Sequence, residues 1–222
     1  NNDTICAVAT PGGSSAISII RVSGRYSIDS VDKIFKPLKG PSLKSGSSRM
    51  MRFGSIYSNG QLIDEVLVVT FKSPFSYTGE DSVEIFCHGS QYIRNQILML
   101  LFSHEVRQAS PGEFSMRAYL NGKMDLSQAE AVADLISSET SAAHRVAITQ
   151  MKGGFSNELF QMRSSLLDLV SLMELELDFS EEDVEFADRE KLKNLLTDVK
   201  RHLEILIDSF ALGNVIKNGI PV

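Results

Sequence analysis

The sequence predicts an α+β protein in which a mixed α/β domain comes first and an all-α helical bundle follows. Three observations favour this fold class. Short β-branched runs broken by turn residues fill the first half of the 222 residues, whereas apolar residues recur every three or four positions in the second half. Charge divides at a similar place, because residues 1–118 carry 12 Lys and Arg against 10 Asp and Glu, and residues 119–222 carry 10 against 18.

The composition is that of a packed globular protein, with 43% hydrophobic and 23% charged residues. The longest purely apolar run, Ile97–Phe102, is far shorter than the roughly 20 residues that span a bilayer. No charged and apolar leader opens the chain, so we expect neither secretion nor a membrane partner. Cys6 and Cys87 lack the spacing of metal ligands, which favours a reducing compartment, and we expect a cytoplasmic protein.

Five β-branched segments in the first half predict strands. They are Thr4–Thr10, Ala16–Val22, Met51–Tyr57, Ile63–Phe71 and Val83–Cys87. Asn59-Gly60 lies between the third and the fourth of them, and this dipeptide between two strand patterns is a strong signal for a β-hairpin. Ser27–Phe35 and Gln91–Phe102 have the length and apolar spacing of helices that pack on the sheet. Lys36–Ser48, rich in Pro, Gly, Ser and Lys, is predicted to be a mobile surface loop.

Three long amphipathic helices are predicted in the second half. They cover Leu126–Ala147, Leu159–Leu177 and Leu192–Phe210. Asp125 is placed to cap the first helix, and Gly213 is predicted to end the last. Gly153-Gly154 separates the first two helices, and the acidic stretch Glu174–Glu190 separates the second from the third. The apolar stripe on each helix predicts that further helices complete the bundle.

The first candidate site residue is Glu84, in the segment Ser76–Gly89, where a polar loop leads into a strand. Side chains alternate along a strand, so Glu84 and His88 share one face and Cys87 lies on the other. A carboxylate among apolar strand residues must be paired, and a ligand with adjacent N–H donors would satisfy both of its oxygens. The alternative is that Glu84 faces solvent on a half-exposed sheet. We expect His88 to form a local hydrogen bond and Cys87 to be a core residue.

Two cations are the other candidate site residues. Lys123 follows a short predicted helix that starts near Pro111 and Glu113 and ends at Asn121-Gly122, so it lies at the junction of the two halves. There it either meets an anionic ligand or is a solvated lysine. Arg21 interrupts an apolar strand and is either an edge-strand charge or a ligand contact.

Motifs for nucleotide hydrolysis are missing from these residues, because neither Gly-x-x-x-x-Gly-Lys-Ser/Thr nor Gly-x-Gly-x-x-Gly occurs. The acidic run Glu181–Glu185 is predicted to be a solvated connection rather than a metal site. A net charge of −6 makes the chain a poor binder of phosphate backbones, so a nucleic-acid role would need a partner or further segments.

Several long motifs follow one another along essentially the whole chain. They are ATPGG, SIIRVSG, PFSYTGEDSVEIFCHG, SPGEFSMRAYLNGKMDLSQAEAVADLI, QMKGGFS, LDFSEEDVEF and GNVIKNGIPV. In this order they resemble the N-terminal region of the MnmE (TrmE/ThdF) family of tRNA modification GTPases. The resemblance implies a tetrahydrofolate-binding and dimerisation domain at residues 1–120, similar to the folate domain of aminomethyltransferases, and the first part of a helical domain at residues 121–218. Residues 219–222 would begin a Ras-like G domain, so we expect no GTPase activity from this chain itself.

By motif position, the resemblance implies that Arg21, Glu84 and Lys123 contact a tetrahydrofolate in its 5-formyl or 5,10-methylene form. The paired N–H donors of a pterin suit the Glu84 carboxylate, and the two cations would meet its carbonyl or the glutamate carboxylates. For the full-length protein, the resemblance implies GTP-driven modification of the tRNA wobble uridine at C5. It further implies a homodimer, the flavoprotein MnmG as a partner, and Mg and K at the G domain. The alternative is a stand-alone folate-dependent aminomethyltransferase-like or folate-binding module without GTPase activity.

Overall fold

The computed structural model describes residues 3–178 and 189–218 and forms two compact units. Unit 1 comprises residues 1–124 and unit 2 comprises residues 125–222. Unit 1 combines a β-sheet with helices, and the described part of unit 2 is helical, which confirms the predicted fold class. No helix in these described ranges is both long enough and apolar enough to cross a membrane.

Unit 1 is built on one seven-stranded sheet with the order β3-β4-β5-β6-β2-β1-β7. The strands are β1 (Thr4–Val8), β2 (Ser15–Ser23), β3 (Phe35–Pro37), β4 (Met51–Ser58), β5 (Gln61–Phe71), β6 (Ser82–Gly89) and β7 (Val106–Gln108). All neighbours are antiparallel except β1 and β7, which are parallel. The helices of this unit are α1 (Ser27–Ile34), α2 (Gln91–Phe102) and α3 (Glu113–Leu120).

The core of unit 1 lies between one face of the sheet and the helices α1 and α2. Alternation along the strands sends Ile20, Val68 and Ile85 to this face, where they are fully buried with Ile97 and Leu101 of α2. The opposite face carries the residues between them, and it is this face that holds the candidate site.

The hairpin of β4 and β5 confirms the strongest turn prediction. Asn59 and Gly60 connect the two strands with φ angles of 49° and 80°. A type I′ turn needs a positive φ at both central residues, which Asn and Gly adopt at little cost. On its other side β5 pairs with β6, so it lies next to the strand that carries Glu84.

The predicted surface loop Lys36–Ser48 was wrong in two respects. Its first residues belong to β3, which pairs with β4 at the edge of the sheet, and Leu43 is buried in the core at 1% exposure. A three-residue strand is too short to show a periodicity, and one buried leucine in a polar segment gives no pattern. The same shortness explains why β7 was not predicted.

Unit 2 has four helices in its described residues rather than the predicted three. They are α4 (Leu126–Ser137), α5 (Ser141–Met151), α6 (Gly154–Asp178) and α7 (Arg189–Asn218). The first predicted helix is interrupted because Thr140 caps a new one, its hydroxyl accepting a hydrogen bond from the Ala143 N–H. Asp125 caps α4 as predicted and forms a capping box with Gln128.

The prediction that Gly213 ends the last helix was wrong, because α7 continues to Asn218. A glycine inside a helix costs only about 1 kcal/mol relative to alanine, so it does not by itself terminate one. The central part of the acidic stretch, residues 179–188, lies outside the described residues, and so does the run Glu181–Glu185. Both predictions for these segments stay predictions.

Candidate functional site

Arg21 and Glu84 face each other on neighbouring strands. β2 and β6 pair in a register that sets Arg21 opposite Glu84. The Arg21 Nε and Nη2 atoms both donate to Glu84 Oε1, at 3.0 and 2.8 Å. The two side chains are 25% and 19% exposed, so the pair is shielded but reachable from solvent. The sequence predicted both residues, and the register brings them together.

Two alternatives from the sequence are wrong. Arg21 is not an edge-strand charge, because β2 lies inside the sheet between β6 and β1. Glu84 does not simply face solvent, because it is four-fifths covered and is engaged by Arg21. A charge-assisted pair in which two guanidinium N–H groups converge on one carboxylate oxygen holds the two side chains together.

Two aromatic rings flank the Arg21 guanidinium. Its central carbon lies 4.9 Å from the centroid of the Tyr77 ring and 5.7 Å from that of Phe114. The Tyr77 hydroxyl is hydrogen-bonded to the Ser115 hydroxyl at 2.8 Å, which holds this ring in place. Glu84 Oε2 has no hydrogen-bond partner within the described part of the chain, so one oxygen of the pair is available as an acceptor beside two flat rings.

Lys123 lies against the loop between β5 and β6, residues 72–81, here called the β5–β6 loop. Its ammonium donates to the Pro74 carbonyl oxygen at 3.0 Å, which leaves two of its three N–H donors for another acceptor. Its stem passes Gly79, where a Cβ would come within 3.1 Å of Lys123 Cγ. Tyr77 belongs to the same loop, so the β5–β6 loop is contacted by Lys123 at Pro74 and by Arg21 at Tyr77.

A buried charge network, which sequence reasoning missed, holds this loop. Arg117 of α3 is only 2% exposed and donates to Asp3, Glu80 and Glu113 at 2.8 to 3.3 Å. Glu113 is 3% exposed and also accepts two hydrogen bonds from Arg107. The only signal in the sequence is the spacing of four between Glu113 and Arg117, because Asp3 and Arg117 are 114 positions apart.

The network fixes the loop through Glu80 and its neighbour Thr78. The Ser23 hydroxyl at the end of β2 donates to Glu80 Oε2 at 2.9 Å and is hydrogen-bonded to the Thr78 hydroxyl at 2.6 Å. Asn121, which follows α3, donates to the Thr78 carbonyl at 2.8 Å. The buried charges therefore serve to position the loop that contacts Arg21 and Lys123.

The titration of Glu113 reflects this network. Hydrogen bonds from Arg107 lower its pKa most, and those from the Ser110 N–H and Arg117 lower it further, so that it reaches about 2 despite burial. The carboxylate is therefore ionised at neutral pH, where it stays paired with both arginines.

His88 and Cys87 behave as predicted. His88 is hydrogen-bonded through Nδ1 to Asp64 Oδ1 at 2.7 Å, and its backbone N–H donates to Asp64 Oδ2 at 2.8 Å. Cys87 is 3% exposed, and burial raises the pKa of its thiol to about 11. A thiol with such a pKa is not a nucleophile at neutral pH, so Cys87 is a core residue.

Two family models match the chain. The model described as "GTP-binding protein TrmE N-terminus" matches residues 4–123, and the "MnmE helical domain" matches residues 126–221. Curated relatives named tRNA modification GTPase MnmE are similar over the whole chain. They are 55% identical in Flavobacterium johnsoniae, 56% in Bacteroides thetaiotaomicron and 52% in Cytophaga hutchinsonii. Each alignment covers 100% of this chain and 47 or 48% of the relative, so the chain spans about half the length of these proteins.

Proposed function

The chain belongs to the MnmE family of tRNA modification GTPases, and on this basis we propose that unit 1 binds a reduced folate through Arg21, Glu84 and Lys123. The family resemblance suggests these three residues. The observation that carries the proposal is the Arg21–Glu84 pair, in which Arg21 engages one carboxylate oxygen and the other is an open acceptor in a half-shielded position.

The chemistry of a pterin fits this arrangement. Its aminopyrimidine edge presents adjacent N–H donors, which a carboxylate can accept as a pair or through one oxygen. Arg21 would orient Glu84 for that contact, and the rings of Tyr77 and Phe114 offer flat apolar surfaces beside the bicyclic ring. Lys123, with two spare donors, would meet the carboxylates of the folate's glutamate.

A full-length protein of this family, about twice as long as this chain, would act as a GTPase in tRNA modification. We propose that it modifies the wobble uridine at C5 with the flavoprotein MnmG, as a cytoplasmic homodimer. The one-carbon unit would come from 5-formyl- or 5,10-methylenetetrahydrofolate, and GTP, Mg and K would bind outside these 222 residues. The names of the curated relatives support the GTPase activity and the tRNA substrate. They do not favour the stand-alone aminomethyltransferase-like alternative.

Calorimetry with 5-formyltetrahydrofolate tests the folate site. Glu84→Gln removes the charge of the acceptor while keeping its shape, and we expect the affinity to fall from about 30-fold to more than 100-fold, as for loss of a charge-assisted hydrogen bond of about 2 to 3 kcal/mol. Glu65→Gln is the matched control, since Glu65 is an exposed carboxylate on the same sheet face in β5. Equal affinity of Glu84→Gln and the unaltered chain would show that the pterin is not bound by this carboxylate.

A further inference from the structure

We propose that Arg49 and Lys72 extend the folate site into a subsite for a poly-γ-glutamate tail, a chain of carboxylates attached to the folate's own glutamate. This inference rests on the proposed function, because it places the tail beyond Lys123. The proposal adds Arg49 and Lys72 to the site and implies that the chain prefers a folate that carries a poly-γ-glutamate tail.

The two cations lie on the stretch of the β5–β6 loop that Lys123 contacts. Lys123 donates to the Pro74 carbonyl, and the next residue, Phe75, lies under Arg49, whose guanidinium carbon is 4.9 Å from the ring centroid. Lys72 is two residues before Pro74, and its carbonyl accepts a hydrogen bond from the Phe75 N–H at 2.9 Å. Lys123 and Arg49, from two other parts of the chain, therefore contact adjacent residues of the loop, and Lys72 lies two residues before Pro74 in the same loop.

Backbone hydrogen bonds fix Arg49 and Lys72 beside each other. The Arg49 N–H donates to the Thr70 carbonyl at 2.7 Å, and the Lys72 N–H donates to the Ser48 hydroxyl at 3.1 Å. Ser48 and Arg49 are thus tied to the residues at the end of β5, so the backbones of Arg49 and Lys72 lie close together at the start of the loop.

Both side chains are exposed and lack an ion-pair partner in the parts of the chain that the structure describes, whereas Lys44 nearby in sequence is paired with Asp29 at 3.0 Å. Asp81, the last residue of this loop, accepts a hydrogen bond from the Ser73 N–H and forms no ion pair with these cations. Within the described residues Arg49, Lys72 and Lys123 are thus exposed cations without an ion pair, and such a cluster attracts an anion with several carboxylates.

The backbone at Arg49 is a second and independent indication. Its φ angle is 61°, in the left-handed region that glycine and asparagine adopt more readily than arginine. Non-glycine residues held in this region cluster at functional sites, where the surrounding structure retains them. Here the conformation stacks the guanidinium on Phe75, which is itself 65% exposed.

A glutamate tail fits these cations better than an RNA backbone does. Each added γ-glutamyl residue supplies one flexible carboxylate, and Lys123, Arg49 and Lys72 are all exposed, as residues that meet a tail leaving the pterin site must be. A phosphate backbone is bound by cations spread along an extended surface, whereas these three lie on or against residues 72–75 of one loop. RNA contact is therefore the competing outcome of the test.

The test compares the affinities of the chain for 5-formyltetrahydrofolate with one and with five glutamates, at low and at 0.5 M salt. We expect the pentaglutamate to bind about fivefold tighter at low salt, as for two exposed ion pairs, and this gain to shrink at high salt. Arg49→Gln and Lys72→Gln should each reduce the gain, and the double variant should abolish it without changing the monoglutamate affinity. Lys39→Gln, which alters another exposed lysine, should leave the gain intact.

Equal binding of the two folates by the unaltered chain would overturn this inference alone, and absence of binding to either would overturn the proposed function as well. If the pentaglutamate still binds more tightly than the monoglutamate in the double variant, the proposed tail subsite at Arg49 and Lys72 is also wrong. A double variant that loses tRNA affinity in a filter-binding assay while its glutamate gain is unchanged would overturn the subsite as well, because these cations would then belong to an RNA surface.

Discussion

Glu113 and Arg117 are charged residues that the fold removes almost completely from water, at 3% and 2% exposure. Burial of a charge is costly unless it is paired, and both are paired several times. These residues touch no proposed ligand contact directly. Their effect on the site passes through Glu80 and the β5–β6 loop, so they are structural residues whose loss should appear first in stability.

Glu113→Gln should lower the free energy of unfolding of unit 1 by about 3 kcal/mol, because it removes the buried carboxylate that Arg107 and Arg117 share and leaves them only Asp3 and Glu80. Denaturation followed by tyrosine fluorescence measures this, since the chain has no Trp and all five Tyr lie in residues 1–124. Glu105→Gln, at an exposed position, is the control and should change the value by less than about 0.5 kcal/mol. A similar small change for Glu113→Gln would mean that the network contributes little.

The pH dependence of stability follows from the same residue. The pKa of Glu113 is about 2 in the folded chain against 4.5 ordinarily, so its ionised form stabilises the fold fully above about pH 4.5. That contribution is lost as the pH falls from 4.5 towards 2. Unit 1 should therefore lose stability over this range, and Glu113→Gln should show a shallower loss. Parallel pH profiles for the two proteins would contradict this explanation.

At the scale of elements, the sequence predicts those whose signals are local. The hairpin at Asn59-Gly60, the helix α2 and the short helix α3 follow from turn residues and periodicity, and the structure has all three. β3 and β7 were missed because three residues carry no period, and their place depends on β4 and β1. The break between α4 and α5 depends on one capping threonine in a segment that is otherwise helical in pattern.

The candidate site, too, has residues with a local signal in the sequence and residues whose role depends on the rest of the fold. Arg21 and Glu84 could be singled out because each is a charge among apolar strand residues, and Lys123 because it lies at the junction of the two halves; the strand register sets the first two opposite each other. The supporting network could not be predicted, since its members come from the N-terminus, the β5–β6 loop and α3. Only the folded chain brings together charges that are more than 100 positions apart.

Asp125 caps the N-terminus of α4. Asp125 accepts a hydrogen bond from the Gln128 N–H at 2.8 Å and another from the Ser156 hydroxyl at 2.6 Å. Asp125→Ala should destabilise unit 2 by about 1 kcal/mol or somewhat more, and Asp125→Asn, which can still cap, by clearly less. Thermal unfolding followed by far-ultraviolet circular dichroism compares the two. Equal loss in both variants would show that capping is not the cause.

At the scale of the molecule, the sheet face that carries the site is apolar and partly open. Phe53 and Leu67, which pair across β4 and β5, are 43% and 38% exposed on this face. An exposed apolar face of this kind is typical of an interaction surface. We propose that unit 1 forms a homodimer through it and that folate, bound on the same face, strengthens the dimer.

Sedimentation of the chain with and without 5-formyltetrahydrofolate tests the dimer, because a ligand that binds the dimer more tightly must shift the equilibrium towards it. Leu67→Lys should shift it towards the monomer. Met99→Lys, which changes an exposed residue of α2, should not. A chain that stays monomeric at high micromolar concentration in both conditions would contradict the proposal. A dimer whose dissociation constant is the same with and without folate would contradict only the coupling between folate binding and dimerisation.

A crystal structure of the chain with 5-formyltetrahydrofolate tests the central claim most directly. We expect the N–H donors of the pterin to lie within about 3 Å of the Glu84 carboxylate. Arg21 should keep its contact with that carboxylate, and Lys123 should bind a carboxylate of the ligand's glutamate. An ordered folate that contacts none of these three residues would contradict the proposed folate site.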